Sequence, residues 1–439
     1  MFTPQNEIMS HSVGFTGINL GPFRLSQPLG IGTMQWGTTS IDRKVNRDGV
    51  LPDEQIDELV SYSLDQKIQF IDSAEGYGGG TSEIRVKEVL HRMKKLRGEI
   101  PETIVATKFL PTIWRYTRSS FFRAVRNCAK RLGVDCIDLF FIHSPVHPLK
   151  LEFWVQCAAD AANQGLIKAI GLSNFNAEQV LRAHKVAQAS GQQIAANQIM
   201  FSLLDYKSLK LQETERMCQD LGITVIGYAS IGQGLLTDQL TRERFEDGSI
   251  RAVRMTGCSW EELQPLRGKL EEIAQARGKT MAQVAMNWVI SKGHIPLVGC
   301  KKRRHAEESV GALDFRLTAA EVAALDALAL PYSTLEKPRW RRQLFVVIIS
   351  VLIAAYRVER LGARLARAVC FWRRGGSGGG AGGRWAAAAS PRVAVAAGDG
   401  DGAGGDNNSS STNSDNNNNN TAGKNRKNSP QNYPVICYK

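Results

Sequence analysis

Short apolar segments alternate along residues 29–298 with longer segments whose apolar residues recur at helical spacing. In the segment 53–67, for example, Ile56, Leu59, Val60 and Leu64 fall on one helix face. Eight strand signals alternating with helices predict parallel βα units. The strand-like segments are 29–34, 68–72, 103–108, 137–143, 167–172, 194–199, 223–228 and 294–298, and the helix-like segments are 53–67, 82–97, 117–133, 150–165, 176–190, 209–221 and 280–292.

Two architectures fit this alternation, a closed (β/α)8 barrel and an open doubly wound sheet. Polar groups end many of the predicted strands, and this favours the closed barrel, also called a TIM barrel. A hairpin is predicted at 13–25, before the barrel, and an extra helix at 318–330, after it. The segment 229–265, between the seventh strand and its helix, is long for a simple connection, which predicts a functional flap.

The composition changes abruptly beyond Lys337. Residues 338–374 contain nine Arg and one Glu, a net charge of +8, within a chain of 439 residues whose total is +13. Because the basic excess is confined to one segment that an apolar run interrupts, the sequence does not predict nucleic-acid binding. The predicted organisation is an extension (1–13), a barrel (14–335), a basic apolar and amphipathic segment (336–374) and a Gly-, Asn- and Ser-rich disordered tail (375–439).

The basic segment has the pattern of an interfacial helix. Residues 344–356 are apolar or nearly so, but as a helix they would span roughly 20 Å, less than the roughly 30 Å hydrocarbon core. Residues 357–372 then place apolar residues on one face and arginines on the other. Contact of 340–374 with a membrane surface is one expectation; an ordinary packed terminal helix and a translated segment without function are the alternatives.

The cysteines and the N-terminus bear on the compartment. The eight Cys form no CxxC pair and have no His at zinc-ligand spacing, which predicts reduced thiols and no metal site. Residues 1–14 lack the pattern of a secretory signal, and they contain no Arg, so they are a poor transit peptide. We expect a cytoplasmic protein, with the chloroplast as the alternative.

Polar residues suited to proton chemistry end three successive predicted strands. Asp72 ends the second strand and Tyr77 follows on a Gly-rich loop, while Lys108 and His143 end the next two strands. Free tyrosine has a pKa of about 10, so a neighbouring Lys108 is expected to lower the pKa of Tyr77, with Asp72 holding the lysine in place. Tyr77 is the predicted proton donor and His143 the group that orients a carbonyl. A plain Asp72–Lys108 ion pair and a satisfied core histidine are the alternatives.

Several short motifs follow one another along the chain. They are Gly30-x-Gly32-Thr33, Asp72-x-Ala74-x-x-Tyr77-Gly78, Thr107-Lys108, His143-x-Pro145, Gly171-Leu172-Ser173-Asn174-Phe175, Asn197-Gln198, Gly227-Tyr228 through Thr237, Gly278 through Ala285, Ile295 through Lys301, and Ala306 through Leu313. In this order they resemble the aldo-keto reductase superfamily over about residues 14–332. The resemblance is strongest to the plant and cyanobacterial branch that includes plastid pyridoxal reductases, through the motifs at 278–285 and 306–313. It implies a (β/α)8 barrel that binds NADPH without a Rossmann fold.

The candidate cofactor contacts follow from these motifs. Hydroxyl and amide groups of Ser173, Asn174 and Gln198 suit a nicotinamide carboxamide, and the ring of Tyr228 offers a stacking surface. The loop with Gly232 and Gly234 can bring backbone N–H groups to a pyrophosphate. The resemblance adds Gly32, Thr33, Ser230, Leu235 and Gly299, and it places Lys301, Lys302, Arg303 and Arg304 where the family binds a 2′-phosphate, which favours NADP over NAD.

Some positions depart from the family pattern. His305 and Ser309 stand where the family usually has Gln and Asn beside the adenine, and Val298 replaces a usual proline. Trp36 and Trp114 follow the first and third strands and are predicted to line the substrate mouth, which suggests a planar or apolar aldehyde.

Two functions fit these features. The first is an NADPH-dependent reductase that transfers a hydride to a small-molecule aldehyde or ketone, pyridoxal among the candidates. The second is a cofactor-bound regulatory or interaction module with little turnover, which the C-terminal segment favours. The complete set of Asp72, Tyr77, Lys108 and His143 favours the enzyme, because a pure binding module would not need Lys108.

Overall fold

The computed structural model of the protein describes residues 17–37, 50–247 and 257–333. Within these ranges eight parallel strands close into a barrel, as the alternation of strand and helix signals predicted, and an antiparallel hairpin precedes them. The hairpin strands are β1 (Ile18–Leu20) and β2 (Phe23–Leu25), and the barrel strands are β3 (Gly30–Gly32), β4 (Phe70–Asp72), β5 (Ile104–Phe109), β6 (Ile137–Ile142), β7 (Ile167–Ser173), β8 (Ile194–Met200), β9 (Thr224–Tyr228) and β10 (Ile295–Gly299). The barrel closes where β10 pairs with both β3 and β9.

Helices surround the strands and bury their apolar faces against them. In α3, for example, Phe121, Val125 and Leu132 are buried, Thr117 caps the first turn, and Gly133 ends the helix in the left-handed conformation at φ 73°. The helices of the described residues are α1 (Asp53–Asp65), α2 (Thr81–Arg97), α3 (Arg118–Leu132), α4 (Leu151–Asn163), α5 (Ala177–Ala189), α6 (Leu209–Asp220), α7 (Arg242–Glu246), α8 (Trp260–Arg277), α9 (Met281–Ser291), α10 (Arg303–Val310) and α11 (Ala319–Leu328).

The hairpin covers the end of the barrel where the strands begin. Leu20 and Leu25 are fully buried and join the apolar cluster of the barrel interior, which includes Phe70 and Leu139. The hydroxyl of Thr224, the first residue of β9, donates to the Asn19 carbonyl at 2.9 Å. Because the hairpin occupies this end, chemistry is left to the opposite end, where the strands finish.

The predicted flap, 229–265, is partly helical in its described residues. It contains the short helix α7, and α8 begins at Trp260, inside the predicted flap. A capping box of Ser259 and Glu262 starts α8, and Pro265 lies within the helix. The guanidinium of Arg267 on α8 donates to three carbonyls of the preceding loop, those of Leu235, Thr237 and Leu240, at 2.8–3.3 Å. Residues 248–256 lie outside the described ranges.

The predicted helix after the barrel is present as α11. Thr318 and Glu321 form its capping box, and Arg277 of α8 binds Glu321 through two hydrogen bonds of 2.8 and 2.5 Å. The predictions for 1–13, 336–374 and 375–439 fall outside the described residues. In the part of the chain that the structure describes, no helix combines the length and apolar character needed to cross a bilayer.

Candidate active site

Four polar side chains meet at the end of the barrel where the strands finish. Asp72 ends β4, Tyr77 lies in the loop that follows, Lys108 is the penultimate residue of β5, and His143 comes directly after β6. All four are buried, with relative exposures of 0% to 9%. Neighbouring parallel strands bring these residues together although 71 positions separate the first from the last along the chain.

The ammonium group of Lys108 has three hydrogen-bond acceptors. Its Nζ donates to Asp72 Oδ2 at 2.5 Å, to the Ser73 carbonyl at 2.7 Å and to Tyr77 Oη at 3.2 Å. Burial lowers the pKa of Lys108, while the Asp72 carboxylate opposes that shift. Three acceptors surround the nitrogen and an ammonium has three N–H donors, so this geometry fits the charged form.

Both carboxylate oxygens and the backbone carbonyl of Asp72 accept hydrogen bonds. Its second carboxylate oxygen, Oδ1, accepts from Gln198 Nε2 at 3.0 Å, and its backbone carbonyl accepts from the Thr33 N–H and hydroxyl at 2.9 and 3.0 Å. Burial raises the pKa of Asp72, and the attraction of Lys108 and the bond from Gln198 oppose the rise. The Asp72 carboxylate therefore holds the Lys108 ammonium through one oxygen and is itself held by Gln198 through the other.

Lys108 orients the phenol of Tyr77, but the net pKa of the phenol is not lowered. Burial, with a further contribution from Asp72, raises the pKa of Tyr77 well above its ordinary value. The predicted lowering does not occur, because burial disfavours the charged phenolate and the negative charge of Asp72 repels it. Tyr77 therefore keeps its proton throughout the neutral pH range.

His143 is placed by its backbone. Its N–H donates to the Phe109 carbonyl at 2.9 Å, and its carbonyl accepts from Asn174 Nδ2 at 3.1 Å. The imidazole packs edge-on against the Tyr77 ring, with ring centroids 6.0 Å apart. The phenol and the imidazole therefore lie side by side.

Amide and aromatic groups from β7 to β9 flank this set. Asn174 uses both N–H groups, on the His143 carbonyl and on Ser173 Oγ at 2.8 Å, and its Oδ1 accepts from Tyr228 Oη at 2.9 Å. Asn174 therefore orients Tyr228 and His143, and in this arrangement it has no N–H left for a carboxamide. Gln198 donates one N–H to Asp72, and its amide oxygen can accept a hydrogen bond from a ligand.

The loop after β9 has a backbone that favours glycine. Gly232, Gln233 and Gly234 all have positive φ, at 60°, 53° and 103°. A Cβ on Gly232 would lie 2.5 Å from Leu204 Cδ1, so a side chain does not fit there. Ser230, whose hydroxyl donates to the Gly227 carbonyl, and the fully buried Leu235 anchor the two ends of the loop.

The cations of the basic run after β10 differ in whether they form ion pairs. Arg303 pairs with Glu307 at 2.8 Å and lies 5.1 Å from the Tyr62 ring. Lys302 and Arg304 are exposed and form no ion pair with the described residues.

Side-chain hydrogen bonds fix the backbone of the same run. The Lys301 N–H donates to His305 Nδ1 at 3.2 Å, and the Lys301 carbonyl accepts from Gln55. The hydroxyl of Ser309 is directed to the His305 carbonyl at 2.7 Å.

The predicted residues near β3 have structural positions. Gly32 pairs with both Asp72 and Gly299 in the barrel, and the buried Thr33 contacts Asp72 as described above. Trp36 is 0% exposed, and its indole N–H donates to the Cys300 carbonyl at 3.0 Å. Trp36 thus joins β3 to the end of β10, and its burial does not fit the predicted place at the substrate mouth.

The third-strand loop carries exposed aromatic rings. Trp114 is 37% exposed, which fits a position at the mouth, and Tyr116, which the sequence analysis did not select, is 49% exposed. Glu75 and Arg115, which were not predicted from the sequence, form a largely buried ion pair at 2.5 Å beside the site. The signal for Glu75 was its place between Asp72 and Tyr77, whereas nothing local marked Arg115 as its partner. No group of described His, Cys, Asp and Glu residues is arranged to hold a metal ion.

Known proteins resemble this chain over most of its length. The chloroplastic pyridoxal reductase of Arabidopsis thaliana is 32% identical over 337 residues, which are 73% of this chain and 87% of that protein. The aldo-keto reductase str7 of Strobilurus tenacellus is 32% identical over 268 residues, covering 59% of this chain and 76% of that protein.

Solved structures share the fold. An aldo-keto reductase from Klebsiella pneumoniae in complex with NADPH has a TM-score of 0.55 at 23% identity, covering 74% of this chain and 99% of that chain. The glycerol dehydrogenase AKR11B4 from Gluconobacter oxydans has a TM-score of 0.58 at 22% identity, covering 74% and 97%. A model of the aldo/keto reductase family matches residues 28–330, the whole barrel with its four clustered polar residues. This chain belongs to the aldo/keto reductase family.

Proposed function

We propose that this protein is an NADPH-dependent reductase of aldehydes or ketones in which Tyr77 donates the proton. One observation carries the proposal. Lys108 is the donor in its hydrogen bond to Tyr77, so the phenol oxygen is the acceptor and its own proton must point elsewhere. No described residue accepts that proton, which leaves it for a group that enters the site.

Each of the four clustered polar residues then has a separate role in the reduction of a carbonyl substrate. His143 and Tyr77 both donate hydrogen bonds to the carbonyl oxygen, since the two residues are neighbours, with ring centroids 6.0 Å apart. NADPH, when bound, supplies the hydride for the carbonyl carbon. Tyr77 transfers its proton to the oxygen as negative charge develops there, and Lys108 stabilises the phenolate that remains. Asp72 keeps the ammonium directed at the phenol oxygen during that transfer.

The residues around the site fit a dinucleotide. Tyr228 presents a partly exposed ring beside Asn174, and the Gln198 amide oxygen can accept from a carboxamide. The positive-φ loop of Gly232 to Gly234 has no space for bulk at Gly232, as expected where backbone N–H groups approach a pyrophosphate. The exposed Lys302 and Arg304 suit a 2′-phosphate.

The exposed rings of Trp114 and Tyr116 favour a planar aldehyde. The pyridoxal reductase from Arabidopsis thaliana is among the relatives, so pyridoxal is the first candidate substrate. The deciding experiment is a screen of the full-length protein with NADPH against pyridoxal, other aromatic aldehydes, aliphatic aldehydes and ketones, following the loss of NADPH absorbance. We expect turnover with aromatic aldehydes. Tight NADPH binding without turnover of any carbonyl would instead indicate a cofactor-bound regulatory module.

We predict that the double variant Lys302→Ala/Arg304→Ala weakens NADPH binding about tenfold and leaves NADH binding unchanged. Two exposed cations near a phosphate are worth about 1.4 kcal/mol together, which is tenfold in Kd. Fluorescence titration of both cofactors measures the effect. The matched control is Lys94→Ala/Lys95→Ala, which removes two exposed cations from α2. An equal loss for NADH, or the same loss in the control, would contradict a role in phosphate recognition.

A further inference from the structure

A second buried ion pair lies directly beside the proposed site and takes no part in the chemistry described above. Arg115 binds Glu75 through two hydrogen bonds, Nη1–Oε1 at 2.5 Å and Nη2–Oε2 at 2.9 Å. Their side chains are 12% and 11% exposed. Burial opposes ionisation of Glu75, but Arg115 and a backbone N–H together hold the pKa of Glu75 below its ordinary value. The pair is therefore charged, oriented by its geometry, and largely shielded from water.

Glu75 links the loop that carries Tyr77 to the strand that carries Lys108. It lies three residues after Asp72 and two before Tyr77, and its backbone N–H donates to the Lys108 carbonyl at 3.3 Å. Its Oε1 also accepts from the Leu110 N–H at 2.7 Å. The carboxylate thus fastens one catalytic loop to the segment that leaves β5.

Arg115 extends the same connection towards His143 and the substrate mouth. Its Nη1 donates to the Leu110 carbonyl at 2.9 Å, and its guanidinium lies 4.7 Å from the centre of the Phe109 ring. The Phe109 carbonyl is the acceptor of the His143 N–H. Arg115 also stands between Trp114 and Tyr116, the two exposed rings of the mouth.

We propose that Glu75 and Arg115 are positioning residues: together they hold the phenol of Tyr77 in register with Lys108 and His143 and fix the loop that presents Trp114 and Tyr116. The proposal rests on the reductase function proposed above. Neither side chain touches the reacting atoms, so the pair acts through the loops it joins. A displacement of about 1 Å in a catalytic group can cost about 100-fold in rate. Loss of the Glu75–Arg115 pair should therefore lower the rate strongly.

The test compares Glu75→Gln with Glu321→Gln. Glu321 forms a similar two-bond pair with Arg277, with side chains 22% and 25% exposed, between α11 and α8 on the outside of the barrel. We expect Glu75→Gln to lower kcat for an aldehyde 10- to 100-fold with the NADPH Kd unchanged within about twofold. We expect Glu321→Gln to lower the melting temperature but leave kcat unchanged. Arg115→Lys, which keeps the charge but not the two-bond geometry, is the second variant should Glu75→Gln fail to fold, and its kcat should fall in the same way.

Hydrogen exchange gives a readout that does not need turnover. In Glu75→Gln, amides of residues 73–80 and 109–113 should exchange faster than in the parent, while Glu321→Gln should leave them unchanged. A kcat within about threefold of the parent, an equal kcat loss in both variants, or unchanged exchange in these loops would each overturn the proposal. If the parent protein reduces no carbonyl, the proposed function fails. The exchange result alone then decides whether Glu75 and Arg115 hold these loops in place.

Discussion

Tyr77→Phe is expected to lower kcat for carbonyl reduction by about 100- to 10,000-fold, the usual contribution of a positioned general acid. The variant removes one oxygen from a side chain that is 8% exposed and leaves the ring in place against His143. Lys108 keeps its bonds to Asp72 and Ser73. The NADPH Kd should therefore stay within about twofold of the parent, which fluorescence titration measures beside the steady-state rate.

The control for this variant is Tyr206→Phe. Tyr206 accepts from Lys292 Nζ at 3.0 Å, and Lys292 pairs with Asp326 at 2.6 Å. The chain therefore contains a second Tyr–Lys–Asp set, formed by the loop after β8, the residue that follows α9, and α11. Tyr206→Phe should leave kcat unchanged. A kcat for Tyr77→Phe equal to that of the parent would rule out Tyr77 as the proton donor.

The raised pKa of Tyr77 adds a pH dependence to this prediction. The phenol stays protonated as pH rises through its ordinary value of 10.0, so reduction should not decline in the alkaline range through loss of this proton. Oxidation of an alcohol needs the phenolate as a base, so its rate should rise with pH over the same range. Rate profiles in both directions measure this, and a reduction rate that falls below pH 8 in the parent but not in Tyr77→Phe would contradict it.

The sequence predicted the parts of the site that depend on strand ends. A carboxylate, a lysine and a histidine each close an apolar run, and parallel strands in a barrel must bring those ends together, so Asp72, Lys108 and His143 could be grouped before the fold was known. The barrel, the hairpin and the last helix followed from the same kind of local pattern. Family motifs then connected the separate pieces.

What the sequence did not predict depends on contacts across the fold. Trp36 follows a strand end just as Trp114 does, but it folds inward onto the Cys300 carbonyl, 264 positions away. The pKa of Tyr77 depends first on how completely the phenol is buried, which the residue types do not specify. Arg115 finds Glu75 across 40 positions, and only the packed loops determine that pairing.

Lys108→Met should abolish most of the activity and also destabilise the protein by about 3–5 kcal/mol, because it leaves the Asp72 carboxylate buried without its cation. The loss of the ammonium that stabilises the phenolate should lower kcat by at least about 100-fold. Asp72→Asn should have a similar cost in stability, since it leaves Lys108, whose side chain is 0% exposed, without a carboxylate partner. Denaturant unfolding and steady-state kinetics measure the two effects separately.

The double variant Asp72→Asn/Lys108→Met separates catalysis from folding. Replacing both partners of a buried ion pair by neutral groups is often close to neutral for stability, so unfolding of the double variant should return to within about 1 kcal/mol of the parent. Its kcat should nevertheless stay as low as that of Lys108→Met, because no ammonium faces the Tyr77 oxygen. Lys292→Met, which breaks a pair 15% and 30% exposed, should cost about 1 kcal/mol or less and leave kcat unchanged. Recovery of activity together with stability in the double variant would mean that the Asp72–Lys108 pair serves the fold alone, and the proton-donor assignment would then lose its physical basis.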